Sequence, residues 1–269
     1  MKRCFIFCLY ITIVLTSCKQ KVYFENSNPS DGCSIPFENP ASNFYKAKVA
    51  EAEREYIISI PQNYKSNIPH RIIFIWHSLN QKIQNIYPTQ LENLADDKTI
   101  FVYPQGLNYM GLGLGWYVSK ESIDIKFFDY LYDKLTSEFC IDKSRVFSSG
   151  HSFGAIMTNS LSCFRSNKIR AHSSFSGANF FNDTECKSPA NRLMGHGKLD
   201  KHLIVNYNVG LKAFNFWKLK NNCGTETIIK GYCTIYSNCS KDLTWCAYPG
   251  THRKWENADS LTWDYFKKF

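Results

Sequence analysis

A serine hydroxyl becomes a useful nucleophile only when a base takes its proton and an acid orients that base, and this chain offers residues for all three roles. Gly150-His151-Ser152-Phe153-Gly154 has the form G-x-S-x-G. Ahead of it, Ser144-Arg145-Val146-Phe147-Ser148-Ser149 reads as a short strand; behind it, Ala155 to Cys163 carries Ile156, Met157 and Leu161 at helical spacing. Ser152 is thereby predicted on a sharp strand-to-helix elbow. Glycines flanking such an elbow let strand and helix pass closely and leave the hydroxyl exposed. The pentapeptide alone would equally suit an ordinary Gly/Ser turn, so the flanking elements carry the reading.

When a serine nucleophile sits on such an elbow, the acid and the histidine follow it in that order. Arg192-Leu193-Met194 reads as the end of a strand that opens into Gly195-His196-Gly197-Lys198-Leu199-Asp200. Asp200, just past a strand end, is the candidate acid, with Asp183 as its competitor. Thr244-Trp245-Cys246-Ala247-Tyr248 reads as the last strand, and Pro249-Gly250-Thr251-His252 then presents a histidine on a loop. His252 is the candidate base. His172, His196 and His202 compete with it, although each suits a surface or hydrogen-bonded core histidine; His151 reads as the variable residue of the elbow rather than a proton carrier.

These side chains need a frame, and the pattern supplies one. Glu55 to Ile60 is strand-like and stops at Pro61, Arg71 to Trp76 is a continuous apolar run suited to a strand buried on both faces, and Thr99 to Tyr103 is another. Thr89 to Ala95 is predicted as a crossover helix, and Ile125, Phe128, Leu131, Tyr132 and Leu135 mark a longer one. Ser260 to Phe269 would close the fold as a terminal helix. Strands alternating with helices predict an α/β fold, a mostly parallel sheet with helices on both faces. Met110 to Gly115 is glycine-rich but lacks the lysine of a phosphate loop, and is predicted as a mobile surface loop.

The 269 residues suit one catalytic domain at 45–269, behind an extended Asn/Ser/Pro-rich arm at 19–44 and a signal peptide at 1–18. Lys2 and Arg3, the apolar run Phe5 to Leu15 and the small residues Thr16 and Ser17 make that signal, which implies secretion to an extracellular location. Leu15-Thr16-Ser17-Cys18 also resembles a bacterial lipobox, which would make Cys18 a lipid anchor at a cell surface. No later segment is apolar for long enough to span a membrane. Eleven cysteines less Cys4, Cys8 and Cys18 leave eight, an even number that suggests disulfides without fixing their pairing. No C-x-x-C or Cys/His cluster at ligand spacing argues for metal. Net charge is +9, falling by two to +7 without Lys2 and Arg3, and the basic residues are scattered, with no motif for nucleic acid. Asn182-Asp183-Thr184 and Asn238-Cys239-Ser240 are glycosylation sequons.

The chain resembles secreted feruloyl esterases of the carbohydrate-esterase type, related to polyhydroxybutyrate depolymerase-like α/β-hydrolases. The resemblance covers nearly all of Gly32 to Phe269. It is strongest over Cys140 to Gly154, which resembles the block CID-S-RVF-GHSFGG. Tyr103-Pro104-Gln105-Gly106-Leu107, Phe127-Phe128-Asp129, Gly195-His196-Gly197 with Asp200, Asn222-Cys223-Gly224, and Thr244-Trp245-Cys246 with Gly250 and His252 support it. It implies an α/β-hydrolase fold and a Ser152-Asp200-His252 triad, working without a cofactor on feruloylated or acylated polysaccharide. Two departures stand out. Ala155 replaces a glycine, and His77-Ser78-Leu79-Asn80-Gln81 lacks both glycines of the oxyanion segment. By position, the N–H groups of Leu79 and Phe153 are the candidate oxyanion donors.

The implied activity is that of a serine esterase releasing hydroxycinnamates from plant cell-wall polysaccharide. The alternatives are an acetylxylan or short-chain polyester esterase, or a catalytically silent α/β-hydrolase that binds polysaccharide through exposed aromatics such as Trp116 and Trp255. Acyl preference separates the first pair; packing in the core is the plainer reading of both tryptophans. Oligomeric state is not legible in the sequence.

Overall fold

The computed structural model describes residues 27–38 and 43–269. The signal segment, Cys18 included, and residues 19–26 and 39–42 of the expected arm lie outside them. In chain order the elements are β1 (Phe44–Val49), β2 (Ala52–Ser59), β3 (His70–Trp76), α1 (Ile83–Ile86), α2 (Gln90–Leu94), β4 (Thr99–Pro104), β5 (Leu107–Asn108), β6 (Leu114–Gly115) and α3 (Ile123–Glu138). Then follow β7 (Ile141–His151), α4 (Phe153–Phe164), β8 (Ala171–Phe175), β9 (Asn191–Gly197), α5 (Tyr207–Lys220), β10 (Thr227–Lys230), β11 (Cys233–Tyr236), β12 (Leu243–Tyr248) and α6 (Ala258–Phe266).

Ten strands form one sheet in the order β1-β2-β4-β3-β7-β8-β9-β12-β11-β10. From β4 to β12 neighbouring strands run parallel, and antiparallel strands finish both edges. Side chains alternate across the sheet with period two, and β3 shows what that does. Ile72, Phe74 and Trp76 pack with α3 and α4 on one face, while Ile73 and Ile75 join Leu91 of α2 and Trp263 and Phe266 of α6 on the other. Phe214 and Trp217 of α5 pack against Trp245 and Cys163, on the α4 side. Both faces are therefore covered, which is why β3 and β4 read as unbroken apolar runs.

Several elements differ from expectation. β7 is longer than the predicted strand because Ile141 and Asp142 are already buried beside β3 and the N-terminal segment, where Asn28 N–H donates to Asp142. Met110 to Gly115 is the tip and far side of a two-stranded hairpin, β5 with β6. β10 is exposed along its whole length, so no inward-facing apolar alternation marked it. Among the described residues, three disulfides join Cys33 to Cys140, Cys223 to Cys239 and Cys233 to Cys246, leaving Cys163 and Cys186 as buried free thiols. Among the described residues no helix is long and apolar enough to cross a membrane.

Candidate active site

Ser152 sits between β7 and α4 with φ 55° and ψ −119°, a strained backbone that no ordinary strand or helix uses. The glycines around it permit this for a steric reason. A Cβ on Gly154 would lie 1.9 Å from the Trp76 carbonyl oxygen, and one on Gly150 would lie 2.3 Å from the Gly154 backbone. Ala155, the departure from the family glycine, is accommodated because its side chain faces Gly177, where a Cβ would come within 2.6 Å of it.

Parallel strands deliver the remaining groups to the same C-terminal edge of the sheet, where open α/β sheets place their sites. Ser152 Oγ–H donates to His252 Nε2 at 2.8 Å, and His252 Nδ1–H donates to Asp200 Oδ2 at 2.8 Å. Asp200 follows β9 and is 4% exposed. Its carboxylate also accepts from the His202 N–H at 2.9 Å and from His196 Nε2–H at 2.9 Å. Burial alone would raise the Asp200 pKa, but the His202 N–H and the His252 ring outweigh it and hold the carboxyl below its usual range. Asp183 lies instead in a short 3-10 turn, exposed.

Of the competing histidines, His172 is buried in β8, and neither of its ring nitrogens has a partner among the described residues. His196 donates its Nε2–H to Asp200 and to the Val205 carbonyl, so it pairs with Asp200 rather than with Ser152. His202 stacks on His252, ring centroids 4.4 Å apart.

The segment after β3 shows how a chain without the family glycines shapes this corner. Asn80 takes a left-handed backbone with φ 58°, which asparagine tolerates better than most residues, and its N–H donates to the Leu114 carbonyl. Trp116 Nε1–H donates to the His77 carbonyl at 2.9 Å, and His77 Nδ1–H donates to the Ser78 carbonyl at 2.7 Å. His77 Nε2 accepts from the Gly106 N–H at 2.9 Å and from the Gln105 amide at 2.8 Å. Burial pushes the His77 pKa down to about 4, so the ring is neutral and its single proton stays on Nδ1. In a trans peptide the C=O and the following N–H point opposite ways, so tethering the Ser78 carbonyl orients the Leu79 N–H. Neither the Leu79 N–H nor the Phe153 N–H has an acceptor among the described residues.

Beside Ser152 lies a cleft of ≈ 100 Å³ with Leu79, Tyr109, Leu112, Phe153, Phe180 and Ile204 among its walls. Trp116 is fully buried against Trp76 and so is not an exposed sugar platform; Trp255 is partly buried and stacks on Tyr248 at 4.6 Å. The silent-binder reading thereby loses Trp116 as an exposed sugar contact.

No family model matches the chain. It is 30% identical over 216 residues to the protein named probable feruloyl esterase C of Aspergillus clavatus, covering 74% of this chain and 75% of that one. The chain belongs to the feruloyl esterase family. Feruloyl esterase D of Neurospora crassa is 27% identical to this family member over 90% of this chain and 91% of its own length. An acetyl xylan esterase from Aspergillus awamori superposes with TM-score 0.63 at 16% identity, covering 83% of this chain and 99% of that one, a likeness of fold. The fold of this feruloyl esterase family member is that of the α/β-hydrolases, and the chain is a carboxylic-ester hydrolase.

Proposed function

We propose that this protein is a secreted serine feruloyl esterase that releases hydroxycinnamates from plant cell-wall polysaccharide, with residues 45–269 as its catalytic unit. The unbroken hydrogen-bond chain from Ser152 through His252 to Asp200 carries the proposal. His252 takes the proton of Ser152 as the hydroxyl attacks the ester carbonyl, and Asp200 holds the tautomer that leaves His252 Nε2 free to accept it. The Leu79 and Phe153 N–H groups stabilise the oxyanion, and His252 returns the proton to the departing sugar alkoxide. Water, activated by the same histidine, then releases the acid.

The apolar cleft suits a planar aryl acyl group, and names such as feruloyl esterase D for a relative spanning almost the whole chain support that acyl class. Three disulfides fit an oxidising, extracytoplasmic environment.

Ferulate release from methyl ferulate and from feruloylated arabinoxylan tests the reading. Ser152→Ala is expected to lose roughly 10⁴-fold or more in kcat while remaining folded. Undiminished release by that variant would overturn the triad. Acetate freed from acetylated xylan with no ferulate released would move the protein to acetyl ester hydrolysis.

A further inference from the structure

No step of the proposed mechanism uses His151, yet its ring lies between two loops of the site. His151 Nε2 is 2.9 Å from the His252 carbonyl oxygen, which can only accept, so the ring proton is on Nε2. Nδ1 is then an acceptor, and Ser78 Oγ stands 3.2 Å from it and 3.0 Å from the His151 carbonyl, placing the hydroxyl hydrogen between those two acceptors. Ser78 is itself tethered through its carbonyl to His77. No other donor reaches the His252 carbonyl among the described residues, and His252 stands on a loop outside any helix or strand. Burial, reinforced by His252, pushes the His151 pKa down to about 4, so the ring keeps this single-proton form wherever a histidine base can work.

We propose that His151 is a positioning residue: its Nε2–H, with the ring held by Ser78, anchors the backbone of His252 and ties the base to the loop that carries the Leu79 N–H. This rests on the triad reading. The variable position of G-x-S-x-G here lies on the rim of β7, one residue before the nucleophile, and a side chain without a donor there would leave the His252 carbonyl unanchored. The His252 ring would still meet Asp200, but its approach to Ser152 Oγ would no longer be set by both ends of the residue. A displacement of about 1 Å in a reacting group is enough to cost on the order of 10²-fold in rate.

Three substitutions separate the donor from the bulk of the ring. His151→Gln carries its amide nitrogen near the Nε2 position, His151→Asn near the Nδ1 position, and His151→Phe keeps the volume without a donor. With matched circular dichroism and Tm, His151→Asn and His151→Phe are expected to lose roughly 10- to 100-fold in kcat with KM within about twofold of wild type. Phosphonylation of Ser152 by a fluorophosphonate should slow by the same factor, and His151→Gln should retain most of both rates. Wild-type kcat and labelling in the Asn or Phe variant would overturn the proposal. An equal loss in all three, or an effect confined to KM, would overturn it as well. Ser152→Ala run alongside distinguishes the two levels, because activity surviving in that variant would remove the triad itself.

Discussion

His77 shows a histidine serving geometry rather than proton transfer. It is 2% exposed, its two ring nitrogens are both engaged, and the peptide it tethers is the one whose N–H we assign to the oxyanion. His77→Phe would keep the shape, release the Ser78 carbonyl and orphan the Gly106 N–H. The expected result is a loss of about 10²-fold in kcat on methyl ferulate with KM nearly unchanged, the size seen when one oxyanion donor is removed. An unchanged kcat would mean that His77 does not orient the Leu79 N–H. The G-x-S-x-G elbow, the strand ends and the chain order together singled out Ser152, Asp200 and His252. His77 could be read only as part of an altered segment, because its partners Gln105 and Gly106 come from beyond β4. His196 is a hydrogen-bonded core histidine, as its sequence reading allowed, but the groups that it and His151 hold, Asp200 and the His252 carbonyl, meet them only in the fold.

At the scale of elements, the elbow is a packing device. α4 can start directly after Ser152 only because Gly154 passes against the end of β3 with no room for a methyl group. Gly154→Ala is expected to push α4 away from Trp76, costing about 1–3 kcal/mol of stability and misplacing the Phe153 N–H. Urea unfolding and kcat measured on the same preparation check this, and a variant equal to wild type in both would refute the close-approach argument. The buried strands and α3 were legible because apolar runs and a sustained helical period are strong local signals. β10 and the β5–β6 hairpin were not: the first is an exposed edge strand, and the second is held by only two residue pairs. Their order comes from the neighbours they pair with rather than from their own patterns.

Across the whole molecule, buried histidines couple stability to pH. A histidine whose folded pKa is about 4 binds its proton in the unfolded chain from near 6.5 downward, so the unfolded state holds more protons between those values and stability falls as pH falls through that window. Asp200, held below its ordinary value of 3.8, adds a further loss only under more acid conditions. Chemical denaturation across pH 4 to 6.5 should therefore show a slope that decreases by up to ~1.4 kcal/mol per pH unit when His77 is replaced by a group that does not titrate. An unaltered slope would show that His77 is not the neutral, buried group described. The Cys33–Cys140 bridge closes 107 residues and ties the N-terminal segment to the start of β7. Replacing both cysteines by serine is expected to lower stability by about 2–4 kcal/mol while leaving kcat unchanged, since the bridge lies at the opposite end of β7 from Ser152.

The amino-acid sequence by itself determined the alternation of strands and helices, the elbow, and the order of serine, acid and histidine, because each is written in local periodicity or in position along the chain. Tertiary structure decided which cysteines pair, which tryptophan is buried, and how the 77–81 segment is held in shape without glycines. Those depend on partners such as His77 with Gly106, or His151 with His252, that stand far apart in sequence and meet only when parallel strands bring their C-terminal ends to one edge of the sheet.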